Sequence, residues 1–161
     1  MAPFIIRARS LFRPLAFALG LIILAAPLAG CASSAAGSTP ASDSNAGVKM
    51  ASMADMPASV RSAPATVQQA YQFAVANPDV LSQIPCYCGC GALGHTSNYA
   101  CYVAGQNADG SLKFDSHALG CSTCVDIAQD TMRLLKEGKT VKEIRTYVDG
   151  KYSQYGPSNM P

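Results

Sequence analysis

The chain has no tryptophan, only 14% charged residues, and no excess of either charge large enough to hold a polyanion. Its 12 lysines and arginines face 10 acidic residues, a formal charge of +2, but Arg7, Arg9 and Arg13 all fall in the first thirty residues. Without those three the balance is nine against ten, so the slight basicity is no argument for nucleic acid as a partner. No apolar run is long enough for a committed membrane-spanning helix. Leu15 to Leu28 is free of charge but too short and wrongly flanked. No glycine-rich phosphate loop opens a helix, because the glycines of 89–94 run into cysteines and a loop. The acidic residues are scattered and most serines crowd a low-complexity stretch near the N-terminus, so no catalytic constellation stands out. The pattern points away from an enzyme.

What the N-terminus does contain is an export pattern. Three arginines precede the apolar stretch, which closes on Leu28-Ala29-Gly30-Cys31. This tetrapeptide resembles the lipobox of bacterial lipoproteins: small residues fit a narrow peptidase pocket, and the Cys31 thiol is the nucleophile that accepts the lipid. The expectation is a signal peptide over 1–30, lipidation at Cys31, and anchorage to a membrane on its extracytoplasmic side, in the cell envelope. Removing 30 of the 161 residues leaves 131, enough for one domain plus a tether.

Residues 31–63 are rich in Ala, Ser, Gly and Pro and read as a disordered tether. Within them Met50, Met53 and Met56 repeat every third residue. Thioethers are soft ligands that persist in an oxidising compartment and suit Cu(I), which makes the run an auxiliary metal site. The same spacing also serves a helix edge that needs apolar filling.

The folded domain is expected over 64–155, mainly α, with three to four helices, a cysteine-rich central loop and a short β-hairpin. A helix starting at Ser62 to Pro64 would align Val67, Ala70, Tyr71, Ala74 and Val75, and Asn77-Pro78 would break it, leaving room for one further turn. Tyr99 to Val103 could pair with Leu112 to Phe114 across Asn107-Ala108-Asp109-Gly110. A second helix carries Cys124, Ile127, Ala128, Thr131 and Leu135 on one face and stops at Gly138. Thr140-Val141-Lys142-Glu143 is a capping box that opens the last helix, with Val141, Ile144, Val148 and Tyr152 inward. Residues 156–161 are expected to fray.

The chemistry is concentrated in six further cysteines. Cys86, Cys88 and Cys90 alternate, Cys101 stands alone, and Cys121 and Cys124 form a Cys-x-x-Cys pair at a helix start, with His95 and His117 among them. An extended Cys-x-Cys-x-Cys cannot converge, since alternate side chains point to opposite faces, but Gly89 frees the backbone to fold back. The Cys121/Cys124 spacing lets one turn offer two thiolates to one metal, and helix-start amides favour the thiolate. A loop triad facing that pair would form a sulfur site suited to Cu(I), with Zn(II) the next choice, completed by Cys101, His95 or His117. Two other readings compete. Six extracytoplasmic cysteines could instead form three structural disulfides in a non-enzymatic interaction domain that presents a surface to a partner, although a Cys-x-Cys bridge closes a strained loop. Cys121-Ser122-Thr123-Cys124 could also exchange disulfides, although no strand–helix alternation of the thioredoxin type surrounds it.

Pro85-Cys86-Tyr87-Cys88-Gly89-Cys90 resembles the signature of the PCYCGC-motif lipoproteins. The likeness continues through His95 and Cys101, then from Asp115 to Ala128, then from Gly138 to Arg145, covering about residues 65–152. It implies lipid anchoring and an extracytoplasmic location. Leu134 to Gly156 is also similar to the last helical pair of the cytochrome c maturation thiol-reductase subunit, which implies a helical hairpin there. The combined expectation is a tethered protein that stores, senses or hands over a soft metal. Its partners would be the membrane, through Cys31, and a metal-donor or metal-acceptor protein.

Overall fold

The computed structural model describes residues 48–161. The expected signal segment, Cys31 and the first part of the tether lie outside these residues. Three long helices carry the described domain: α2 (Ala65–Ala76), α5 (Ser122–Lys136) and α6 (Val141–Tyr152). Single-turn helices α1 (Ala58–Arg61), α3 (Pro78–Leu81) and α4 (His117–Gly120) and an antiparallel pair, β1 (Val103–Gln106) with β2 (Leu112–Phe114), complete it. Among the described residues no helix is long and apolar enough to cross a membrane.

Helix α5 is the centre: α2 packs on one side of it and α6 on another. It buries Cys124, Val125, Ile127, Ala128, Thr131, Met132 and Leu134, close to the expected face, with Leu135 half-buried at its edge. Helix α2 buries Ala70, Tyr71, Phe73 and Ala74, and α6 buries Ile144, Val148 and Tyr152. The turn between α5 and α6 follows from local chemistry. Gly138 takes φ 78, and the Gly138 and Lys139 amides donate to the carbonyls of Leu135 and Leu134. This is a Schellman stop, which glycine permits because it lacks a Cβ. Thr140 and Glu143 then cap each other's backbone amides, so the last helix opens where its capping box predicts.

Three expectations need correction. First, the tether does not extend to residue 63. Val48, Met56 and Val60 are buried, Ala51 exchanges hydrogen bonds with Gln72, and the Asn77 amide donates to the Lys49 carbonyl. Few apolar residues suffice here because the backbone of the segment is tied to α2 by side-chain amides. Second, residues 156–161 dock rather than fray. The Asn159 amide donates to the Cys86 carbonyl while its Oδ1 accepts from the Cys86 amide at 2.7 Å, and Arg145 donates to the Pro161 carbonyl. Third, Tyr99–Cys101 form a 3-10 turn and not strand, and β1 starts only at Val103, with a bulge between Val103 and Gly105. The turn aims Cys101 into the interior, where an extended strand would have continued along the surface hairpin.

Candidate metal centre

The hexapeptide Pro85–Cys90 runs below the start of α5. Gly89 adopts φ 83, a left-handed conformation that L side chains rarely take, and leads into a 3-10 turn over Cys90–Leu93. This reversal overcomes the alternation of Cys86, Cys88 and Cys90, and their sulfurs all lie within 4.8 Å of one another. Across from them Cys121 caps α5 and Cys124 sits in its first turn. The sulfurs of Cys86, Cys88 and Cys124 make a triangle with every edge 3.5 Å. Cys121 and His117 extend it on one side, with His117 Nε2 3.4 Å from Cys88 Sγ. On the other side Cys101 Sγ lies 3.7 Å from Cys90 Sγ, and these two group with His95 and His117. Cys86, Cys101 and Cys124 also fall within 4.8 Å of one another, so the sets overlap into one cluster.

None of the six cysteines is in a disulfide. Metal–sulfur bonds of about 2.3 Å set sulfurs about 3.8 Å apart around a tetrahedral ion and about 4.0 Å around a trigonal one. The observed edges of 3.5 Å and 3.7 Å need open by only a few tenths of an ångström to match. The donor set fits a soft or borderline ion.

A family model described as "Protein of unknown function with PCYCGC motif" matches residues 20–161. The chain belongs to this family. No curated protein and no solved structure matches it.

In this PCYCGC protein every cysteine and histidine singled out from the sequence as a metal ligand joins the cluster: Cys86, Cys88, Cys90, Cys101, Cys121, Cys124, His95 and His117. The three methionines have different surroundings. Met56 is buried in the core, Met53 packs against its edge, and Met50 is exposed beside α2 and α5 residues. Cys31 lies outside the described residues.

Electrostatics favour one thiolate in the cluster and hold its neighbours neutral. The Cys86 thiol is held far below its ordinary value because the neighbouring Cys101 and then Cys124 thiols favour its thiolate. Its neighbours shift the other way: Cys124 is pushed up by its hydrogen bonds with Cys101 and Cys86 and by burial, and Cys90 by burial and by the charge on Cys86. One thiolate therefore suppresses ionisation of the others, and several thiolates side by side require positive charge among them.

Four supporting residues carried no signal of their own in the sequence. Asn159, from the chain end, brackets Cys86 and donates from Nδ2 to Cys90 Sγ at 3.5 Å. Asp115 faces His95 Nε2 at 3.5 Å and accepts from the His117 amide at 2.7 Å. Tyr102 and Asn98, both fully buried, donate to the Cys124 carbonyl. Asp115 opens the family-like stretch from Asp115 to Ala128 and Asn98 lies between His95 and Cys101, but neither residue type announces a role through spacing.

Proposed function

We propose that the protein is a lipid-anchored envelope protein that holds a soft metal ion, Cu(I) first and Zn(II) second, for storage, sensing or hand-over to another protein. The observation that carries this reading is the 3.5 Å triangle of Cys86, Cys88 and Cys124 sulfurs, drawn from segments 36 and 38 positions apart. Sulfur-rich surroundings favour Cu(I) over harder ions. The rival readings have less support. Three structural disulfides would sort the sulfurs into separate pairs, whereas here Cys86 and Cys124 each have several sulfur neighbours. A thiol-exchange pair should stand alone and accessible, whereas Cys124 is fully buried against the hexapeptide. The lipobox supports anchorage through Cys31 on the extracytoplasmic side.

The test is mass spectrometry of the full protein, exported by its host and extracted without reductant. The expected species begins at a diacylated Cys31, retains six unoxidised domain cysteines and carries copper. A mass short by six hydrogens with no metal overturns the metal reading. An unlipidated N-terminus overturns the anchorage. Zinc in place of copper overturns the choice of ion and leaves the site.

A further inference from the structure

The His95 side chain is 10% exposed, and its Nδ1 is buried without any hydrogen-bond partner. The other ring nitrogen, Nε2, faces the Asp115 carboxylate at 3.5 Å. A ring held on one side by a carboxylate with its second nitrogen orphaned in the interior is the arrangement that orients an imidazole toward a metal: the outer partner sets the tautomer and leaves a lone pair inward. His95 groups with Cys90, Cys101 and His117, all within 4.8 Å. It does not join the set of Cys88, His117, Cys121 and Cys124.

Two sets of four that share only His117 are more than one tetrahedral ion can use. We propose that the cluster is a two-ion centre. The first site is built from the Cys88, Cys121 and Cys124 sulfurs, and a second site uses Cys90, Cys101 and His95 through Nδ1. His117 stands between them, and Cys86 lies beside both, within 4.8 Å of Cys88 and Cys90 and of Cys101 and Cys124. This inference rests on the metal-binding reading above and adds a count, a ligand and a division of the donors.

The two sites differ in character. The first is mostly sulfur and sits at the start of α5. The second mixes sulfur with imidazole and borders a cleft of about 630 Å³, whose wall includes His95, Asp115, Tyr99 and the exposed Leu93. Both sites come near the surface: Cys88, His117 and Cys121 of the mostly sulfur site are half-buried and Cys121 lines a cleft of its own, whereas Cys90 and Cys101 of the mixed-donor site are buried behind the half-buried His95. Asn159, which donates to Cys90 Sγ, supports the same site from the opposite end of the chain. Asp115 is a positioning residue in this scheme, acting through the His95 ring.

The experiment loads the full-length, detergent-extracted protein with Cu(I) alone and separately with Zn(II) alone, without oxygen, against a colorimetric chelator. Two ions per chain are expected with at least one of these metals, and one per chain in His95→Ala. Because that variant could lose its fold, histidine ring ¹⁵N signals of the unaltered protein give an independent readout. The His95 Nδ1 resonance should shift on adding one of the two equivalents and stay put on adding the other. Asp115→Asn should keep two ions and weaken one of them by about 10- to 100-fold. A ratio of one or of more than two, a His95 ring unmoved by metal, or two ions retained in folded His95→Ala overturns the two-ion centre and leaves the metal reading intact. A ratio of zero overturns both.

Discussion

Two glycines near the cluster act for different reasons, and their alanine variants should behave differently. Gly89 has φ 83 with nothing within 4 Å of where a Cβ would be, so Gly89→Ala meets only backbone strain, about 1–2 kcal/mol. Gly156 is extended, but a Cβ there would sit 2.8 Å from the Tyr87 carbonyl oxygen, an atom that cannot step aside. Gly156→Ala should lift the chain end from the hexapeptide, break the Asn159–Cys86 bonds and cost about 2–3 kcal/mol, in the range of overpacked sites. Urea denaturation ranks the two variants, and hydrogen exchange at the Cys86 amide separates them. Fast exchange is expected in Gly156→Ala; equal protection in both would show that the tail contributes nothing to the loop.

Helices α5 and α6 are joined outside the core by a polar clamp. Asp130 accepts from the Tyr152 hydroxyl at 2.7 Å and from Lys151 at 2.6 Å, and pairs with Arg133 at 3.0 Å. Burial raises the Asp130 carboxyl, but the hydrogen bonds from Lys151, Tyr152 and Arg133 outweigh it, so the group sits below its ordinary value. A carboxyl depressed on folding adds stability that is present above its unfolded pKa of about 3.9 and is lost as pH falls through the folded value. Tyr152→Phe should therefore destabilise by about 1.5 kcal/mol at neutral pH, the size of a hydrogen bond to a charged acceptor. That difference should shrink as pH falls below about 4. Denaturation of both proteins across this range measures it, and a constant gap would mean that packing of the ring, not the charge, sets the effect.

For the whole domain, the cluster ties together the hexapeptide loop, the 3-10 turn at Cys101, the short α4 with His117, and the start of α5. These parts are otherwise joined by few regular hydrogen bonds, so metal binding and folding should be strongly linked. An ion present at about a thousand times its dissociation constant adds about 4 kcal/mol. Stripping it with a strong chelator under reducing conditions should lower the melting temperature by roughly 10 °C or more for a domain of this size. The loss should reverse on adding metal back. A melting temperature indifferent to chelation would show that α2, α5 and α6 hold the fold unaided.

The sequence by itself determined what depends on near neighbours. Asn77-Pro78 stops α2, Gly138 and the Thr140/Glu143 box shape the helical hairpin, and Gly89 marks the reversal between cysteines. Each is a matter of φ preference or of capping within four residues. The eight soft donors were also plain, since their residue types carry the chemistry. Only the tertiary structure decided which donors are neighbours. Cys124 meets Cys86 across 38 positions, and Asn159 reaches it across 73, distances over which no spacing rule operates. The docked segment from Val48 and the docked chain end were illegible for the same reason. Their apolar content is low, and what holds them is hydrogen bonding to α2 and to the hexapeptide, partners that exist only once the chain has folded.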